Sequence, residues 1–229
     1  MNSICIIPAR GGSKRIPKKN IKNFLGKPII SYVIKTAKQS KLFDQIIVST
    51  DHKEIARISI KYGARVYWRD KKFSKDTIGT VDVVRDVIKN LELKKNSKDL
   101  ICCLYPTSVF CDKKLLIKAQ QLLTNKIEYI FSAVRFSHPI FRSFKNTGNG
   151  SPNPIFKANT EKMNTHKLPV SYHDAAQFYL GWVNSWRKKK KIFSKKSKFI
   201  ELNTLKTQDI DNHEDWQIAE FKYKKFFKK

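Results

Sequence analysis

The sequence has few glycines, prolines and cysteines, and it lacks a long apolar run. Its 229 residues include 8 glycines and 8 prolines, which excludes collagen-like and low-complexity proteins. The longest apolar runs fall well short of the roughly 18 residues that a membrane helix needs, so we expect no membrane span and no membrane partner. The residues before Ile4 also lack the basic flank of a secretory signal peptide. We therefore expect a soluble, cytoplasmic protein.

The four cysteines do not have the spacing of a disulfide framework or a zinc site. Cys5 and the pair Cys102 and Cys103 lie inside apolar runs, no C-x-x-C motif occurs, and the five histidines are scattered. This pattern is typical of buried, reduced thiols in a cytosolic protein.

Acidic residues are scarce relative to basic ones. Lysine and arginine together number 47 against 19 acidic residues, a net charge of +28, which raises the hypothesis of a nucleic-acid-binding protein. Arginine, whose planar fork suits phosphate and base contacts, contributes only nine of these cations, and the lysines extend along the whole chain. We therefore favour a lysine-rich surface that attracts anionic substrates over specific nucleic-acid binding.

Short apolar strands alternate with amphipathic helices along the chain. Strands are predicted over 3–8, 45–49, 65–67, 100–104, 129–134, 177–183 and 198–202. Helices are predicted over 28–39, from a cap at Asp51 to Gly63, over 80–91 and 112–123, and from His213 with Asn212 as its cap. Strands and helices at this spacing predict βαβ units and a mainly parallel α/β sheet.

The pattern weakens between residues 135 and 175. Glycine, asparagine, proline, serine and threonine concentrate around 147–154, and such clusters indicate loops. We predict one domain, 1–229, that contains an irregular insert over 135–175 acting as a lid or a dimerisation arm.

The segment directly after the first strand combines two glycines with five basic residues. It reads PARGGSKRIPKKN over 8–20, and ligands of open parallel sheets bind at the carboxyl ends of strands. Gly11 and Gly12 would let the backbone turn tightly and present its N–H groups to an anion, while the basic side chains would hold a polyphosphate. The spacing matches neither a Walker A loop nor G-x-G-x-x-G, and an ordinary basic loop is the alternative.

Residues 6–20, IIPARGGSKRIPKKN, resemble the nucleotide-binding signature of the acylneuraminate cytidylyltransferases, which activate sialic acids as CMP-sugars. The resemblance covers nearly the whole chain and continues through 43–44, 47–51, 76–77, 105–108 and 208–211. Residues 102–107, CCLYPT, and 172–179, YHDAAQFY, resemble the pseudaminic acid branch. The N-acetylneuraminate enzymes usually carry glutamine in place of Tyr105 and an Asn-Gly-Ala stretch near Ala175, which argues against N-acetylneuraminate as substrate.

The resemblance implies a Rossmann-like, glycosyltransferase-A type sheet flanked by helices, and a homodimer in which the insert reaches the partner's site. It implies transfer of CMP from CTP to the anomeric hydroxyl of a nonulosonic acid, with release of pyrophosphate. The residues that it implies are Arg10 and Lys19 for catalysis, Arg10, Ser13, Lys14 and Lys19 for the phosphates, Asn20, Arg69 and Thr80 for the nucleotide, Tyr105, Asp174 and Gln177 for the sugar, and Asp209 and Asp211 for Mg²⁺.

Some of these assignments have a structural alternative. Asp211 could belong to the cap of the last helix, and Tyr105 could be a core residue at a strand end. A metal-bound hydroxyl or one of the two aspartates could act as the general base. Alternative substrates are N-acetylneuraminate and legionaminate, and the +28 charge keeps a nucleic-acid-binding protein as the alternative from a different class.

Overall fold

The computed structural model of the chain describes residues 2–91, 99–156 and 162–227. Its strands are β1 (Ser3–Pro8), β2 (Asn23–Phe24), β3 (Lys27–Pro28), β4 (Gln45–Thr50), β5 (Arg65–Trp68), β6 (Leu100–Leu104), β7 (Tyr129–Arg135), β8 (Phe144–Asn146), β9 (Pro152–Pro154), β10 (Tyr172–Trp182) and β11 (Ser197–Leu202). Its helices are α1 (Ile29–Ser40), α2 (Lys53–Lys61), α3 (Thr80–Asn90), α4 (Lys113–Leu122), α5 (Val183–Arg187) and α6 (His213–Phe226).

Seven of the strands form one central sheet in the order β11-β7-β10-β6-β1-β4-β5. Every neighbouring pair is parallel except those of β10, which runs antiparallel to both β6 and β7. The predicted α/β fold with a mainly parallel sheet is confirmed. The short strands β2 and β3 pair with each other, as do β8 and β9 within the predicted insert.

Helices cover both faces of the sheet, and strand β1 shows why. Cys5 and Ile7 pack in one apolar cluster that includes residues of α1 and α4, whereas Ile4 and Ile6 pack in a second cluster with residues of α3 and α5. Because successive strand residues point to opposite faces, a strand covered on both sides reads as a continuous apolar run. All four cysteines are buried and free, as predicted from their apolar surroundings.

A third apolar cluster lies beside the phosphate-loop candidate, residues 8–20. Ile16 of this loop packs in it with Phe24, Ile210 and Trp216. The cluster therefore joins the N-terminal loop to the segment before α6, nearly the length of the chain away. The described helices include none that is long and apolar enough to cross a membrane.

Two local predictions are wrong. The cap of α2 is His52, whose Nδ1 accepts from the amide of Glu54 at 3.3 Å, because the carboxylate of Asp51 accepts instead from the amide of Gly11 at 2.8 Å. Strand β10 begins at Tyr172 rather than at residue 177. A register shift between Asp174 and Tyr179 conceals the early part of this strand from a search for simple alternation.

The boundaries of the insert change accordingly. Arg135 ends β7, and the last residues of the predicted insert, 172–175, belong to the central sheet. The structure therefore brings the 172–179 motif to the sheet itself, next to the end of β6.

Candidate active site

A cleft of about 210 Å³ opens where the carboxyl ends of β1 and β6 meet. Its lining contains nine of the predicted site residues: Arg10, Ser13, Lys14, Lys19, Asn20, Arg69, Thr80, Tyr105 and Asp211. Parallel strands place their carboxyl ends at one sheet edge, so residues distant in sequence converge there.

The basic side chains of the loop pair with carboxylates from two other segments. Arg10 and Lys14 both form ion pairs with Asp76, the latter at 2.7 Å. Arg15 contacts Asp211 at 3.0 Å, and the ammonium of Lys19 lies 3.6 Å from the same carboxylate. Hydrogen bonds from Arg10 and Lys14 lower the pKa of Asp76, so this carboxylate remains ionised beside the loop.

Backbone contacts fix the shape of the loop. The Asn20 side chain is buried and donates to the carbonyl of Arg10 at 2.9 Å, while the Gly11 amide donates to Asp51. Burial opposes ionisation of Asp51, but the hydrogen bond from the Gly11 amide and the nearby charge of Arg69 help to outweigh it, and the pKa of Asp51 is lowered. The loop is thus held from both of its ends before any phosphate binds.

Neither glycine of the loop has the positive φ that a left-handed turn would require. The positive-φ glycines of the described chain are Gly26, Gly63, Gly148 and Gly150, so neither Gly11 nor Gly12 is needed for a left-handed turn. A Cβ added to Gly11 would lie 2.7 Å from Cδ2 and 2.9 Å from Cβ of His52. Gly11 therefore allows His52 to approach the backbone, whereas a Cβ on Gly12 would meet nothing within 4 Å.

Arg69 forms the wall of the cleft next to β4. Its guanidinium is buried and donates to the side chain and the carbonyl of Ser49, at 3.2 and 2.8 Å. Burial lowers the pKa of Arg69, but an arginine remains protonated in proteins. The structure therefore places a fixed positive charge under the cleft.

Two tyrosines connect this cleft to strand β10. The Tyr105 hydroxyl lies 2.8 Å from that of Thr80, and burial raises the pKa of Tyr105 to about 12. Its ring packs edge-on against Tyr179, 5.7 Å between centroids, and the Tyr179 hydroxyl donates to the carboxylate of Asp174. Burial raises the pKa of Tyr179 as well, so both phenols stay protonated.

The two remaining sugar-site candidates lie at the irregularity of β10. Asp174 accepts from the amide of Ala176, which has a left-handed φ of 49°. Gln177 is buried, and its side chain donates to the carbonyl of Ala175 at 2.9 Å, while its Oε1 has no hydrogen-bond partner among the described residues. Neither Asp174 nor Gln177 is among the described residues that line this cleft or a second cleft, which is described next. Their neighbours His173 and Ala175 line the second cleft.

The second cleft, of about 450 Å³, adjoins the first through Asp211, which lines both. Asp209, Arg135 and His173 also line it. Loss of water around Asp209 and the nearby charge of Asp211 raise the pKa of Asp209, and Lys19 opposes this shift. Asp209 and Asp211 therefore lie where the cation-rich first cleft meets the second cleft.

Known proteins identify the family. The family model described as "Cytidylyltransferase" matches residues 4–227. The chain belongs to the cytidylyltransferase family. It is 38% identical to the pseudaminic acid cytidylyltransferase of Campylobacter jejuni subsp. jejuni serotype O:2, covering 98% of this chain and 97% of that one. It is 30% identical to the CMP-N,N'-diacetyllegionaminic acid synthase of Legionella pneumophila, covering 96% and 95%.

A solved structure supports the fold. CMP:2-keto-3-deoxy-manno-octonic acid synthetase complexed with CTP superposes with a TM-score of 0.69 at 14% identity, covering 96% of this chain and 98% of that one. The chain is thus a nucleotidyltransferase with a Rossmann-like sheet, and in such an enzyme the clustered cations suit the charge of a nucleotide.

Sequence reasoning missed several residues that shape this cytidylyltransferase site. His52 was overlooked because it follows a residue with better capping propensity, and Tyr179 appears only as the last residue of the 172–179 motif, without a role. Asp76 appears only inside a short motif of the resemblance, without a role. Asp215 and Lys222, which hold the segment before α6, could not be distinguished from ordinary charged residues of a surface helix.

Proposed function

We propose that the protein transfers CMP from CTP to the anomeric hydroxyl of pseudaminic acid and releases pyrophosphate. The observation that carries this proposal is the cation-lined cleft in a chain 38% identical, over nearly its full length, to a named pseudaminic acid cytidylyltransferase. Two further relatives with the same activity in their names, at 38% and 34% identity, support the choice of sugar.

In this reaction the cleft binds the triphosphate. The hydroxyl oxygen attacks the α-phosphorus as its proton passes to a base, and the bond to the bridging oxygen breaks, so that pyrophosphate leaves with the electron pair. Charge grows on the phosphate oxygens, where Arg10, Lys14 and Lys19 would stabilise it because positioned cations are the main source of catalysis in phosphoryl-type transfer. Lys19 is well placed, since the Ile210 carbonyl at 2.6 Å fixes its ammonium.

Nucleotide and sugar would occupy the two adjoining clefts. Asn20, Arg69 and Thr80 line the first cleft together with the loop cations, and the nucleoside would lie against these three residues. Tyr105 lines the first cleft and contacts Tyr179, whose hydroxyl donates to Asp174. Asp174 and Gln177 would then act on the sugar through the shape of the β10 irregularity.

Asp209 and Asp211 fit a magnesium site. Mg²⁺ prefers oxygen ligands and commonly uses one or two carboxylates together with substrate phosphates, which is the donor set that this segment and CTP would provide. Among the described residues, no three or more histidine, cysteine or acidic side chains are placed to hold a metal ion together, so the phosphates would complete the coordination. When bound, Mg²⁺ would neutralise charge on the triphosphate.

We also propose that the enzyme is a cytoplasmic homodimer. The insert exposes several large apolar side chains, namely Phe136, Phe144, Ile155, Met163 and Val170, which favours an interface over solvent. The four reduced, buried thiols agree with a cytoplasmic location. Light scattering coupled to gel filtration measures the mass and would refute the dimer by giving about one chain mass.

Pyrophosphate release tests the function directly. Purified protein receives CTP and Mg²⁺ with pseudaminic acid, N,N'-diacetyllegionaminic acid or N-acetylneuraminic acid in parallel. We expect release with pseudaminic acid and no more than traces with the others. Release with another sugar alone would refute the substrate, and folded protein that neither binds CTP nor releases pyrophosphate would refute the reaction.

A further inference from the structure

The segment that carries Asp209 and Asp211, residues 203–212, contains little regular structure. Apart from a short 3-10 turn over Thr204–Lys206, its backbone groups depend on side chains for hydrogen bonds. Ile210, buried in the third apolar cluster, anchors only its centre. Arg15 and Lys19 contact the Asp211 carboxylate directly, and beyond these contacts the orientation of the two carboxylates depends on the groups that hold the flanking backbone.

Lys222 of α6 holds the first flank. Its ammonium donates to the carbonyls of Thr204 and Thr207 at 3.0 and 2.8 Å, and to Oε1 of Gln208 at 3.0 Å. A lysine ammonium has three donors, so this side chain uses all of them on the segment just before Asp209. Thr207 is itself buried, and its carbonyl would lose this partner without Lys222.

Gln208 connects Lys222 to the part of the segment that carries Asp209 and Asp211. Its Nε2 donates to the Asp209 carbonyl at 3.0 Å and to Oδ1 of Asp215 at 3.1 Å. The other oxygen of Asp215 accepts from the amide of Asp211 at 3.0 Å. A continuous path of hydrogen bonds thus runs from the Lys222 ammonium to the backbone on both sides of Ile210.

We propose that Lys222, acting through Gln208, is a positioning residue that sets the geometry of the Asp209 and Asp211 carboxylates for a divalent cation. The inference rests on the proposed function, because the cation arrives with the nucleotide. Groups that orient ligands typically change metal affinity by about 10–100-fold when removed. A lysine with only a structural role would instead affect unfolding and leave the metal response unchanged.

The test compares Lys222→Met with Lys224→Met, a control at an exposed position of the same helix. Calorimetry measures CTP binding in Mg²⁺ and in EDTA, and pyrophosphate release is followed across a Mg²⁺ titration. For Lys222→Met we expect about tenfold weaker CTP binding in Mg²⁺, unchanged binding in EDTA, and about tenfold more Mg²⁺ for half-maximal rate. Lys222→Arg should restore most of this response.

Gln208→Met serves as the second variant, since it breaks the path while keeping the ammonium in place. It should raise the Mg²⁺ requirement in the same direction even if Lys222→Met does not fold. An unchanged requirement in folded variants, beside a metal-dependent wild type, would overturn this proposal alone. A wild type whose CTP-dependent reaction ignores Mg²⁺ would overturn it together with the metal assignment.

Discussion

Gly11 provides the sharpest test of the phosphate loop, because one methyl group has a defined consequence there. In Gly11→Ala, the new Cβ would lie 2.7, 2.9 and 3.0 Å from Cδ2, Cβ and Cγ of His52. Carbon atoms in contact prefer about 3.5–4.0 Å, so the methyl group needs roughly 0.8 Å more room. One of the three approaches is to Cβ of His52, which is fixed by the backbone, so rotation of the side chain cannot relieve it.

Either side of the contact must then move, and each movement has a cost. If His52 moves, α2 loses its cap, whereas displacement of the loop breaks the Gly11 amide bond to Asp51. Overpacking of this kind costs about 1–3 kcal/mol, and a misplacement near 1 Å can reduce a rate by about 10²-fold. We expect kcat/KM for CTP to fall about 10–100-fold, with a modest loss of thermal stability.

Gly12→Ala is the matched control, because its methyl group meets no atom within 4 Å and its φ is not positive. Steady-state pyrophosphate release compares the variants. His52→Gly in the Gly11→Ala background removes all three contacting carbons, and glycine costs only a few tenths of a kcal/mol at a helix N-cap. The reasoning is refuted if Gly11→Ala matches Gly12→Ala, or if the second substitution restores no activity.

Three further outcomes are expected. Lys19→Ala should lower kcat by about 10²–10³-fold in the pyrophosphate assay, as loss of a positioned donor does. The Lys18 ammonium pairs with Glu54 outside the cleft, so Lys18→Ala should change turnover less than threefold, roughly as for surface pairs. Trp186→Ala removes a fully buried ring and should cost about 3–5 kcal/mol in urea unfolding. The interactions that lower the pKa of Asp51 stabilise the fold above its ordinary value of 3.8, and this stabilisation is lost as pH falls through the lower folded value. The difference in stability between wild type and Asp51→Asn should therefore shrink as pH is lowered through and below 3.8, and a constant difference would contradict the assignment.

The sequence predicts the strands of the central sheet well where one or both faces of the strand are buried. Each of β1, β4, β6 and β7 contains at least three consecutive apolar residues, and their bounds differ from expectation by one residue at most. Strand β10 was only half found, because the left-handed Ala176 and the register shift interrupt its alternation. The short pairs β2–β3 and β8–β9 were missed, since two or three residues carry no periodicity.

The resemblance names residues of the candidate site but not their contacts. Nine of the residues that it implies line the first cleft, yet it does not indicate which carboxylate each cation meets. The pairing of Arg10 and Lys14 with Asp76 depends on the path of the loop after β5. Such pairings follow from tertiary placement, whereas local sequence determines only the kinds of groups available.

The cations of the cleft are paired with carboxylates, whereas the lysines that give the protein its net charge are spread along the chain. The net +28 is spread along the chain as lysine, and such a field increases encounters with any anion without selecting one. At the cleft, the loop cations are matched by Asp76 and Asp211. A bound triphosphate must compete with these carboxylates for the same donors, so affinity depends on how well its oxygens fit their fixed positions. A flexible polyanion can use the dispersed lysines but gains little from this arrangement. The ion pairs of the loop cations with Asp76 and Asp211 therefore favour a compact, highly charged ligand at the cleft over a nucleic acid.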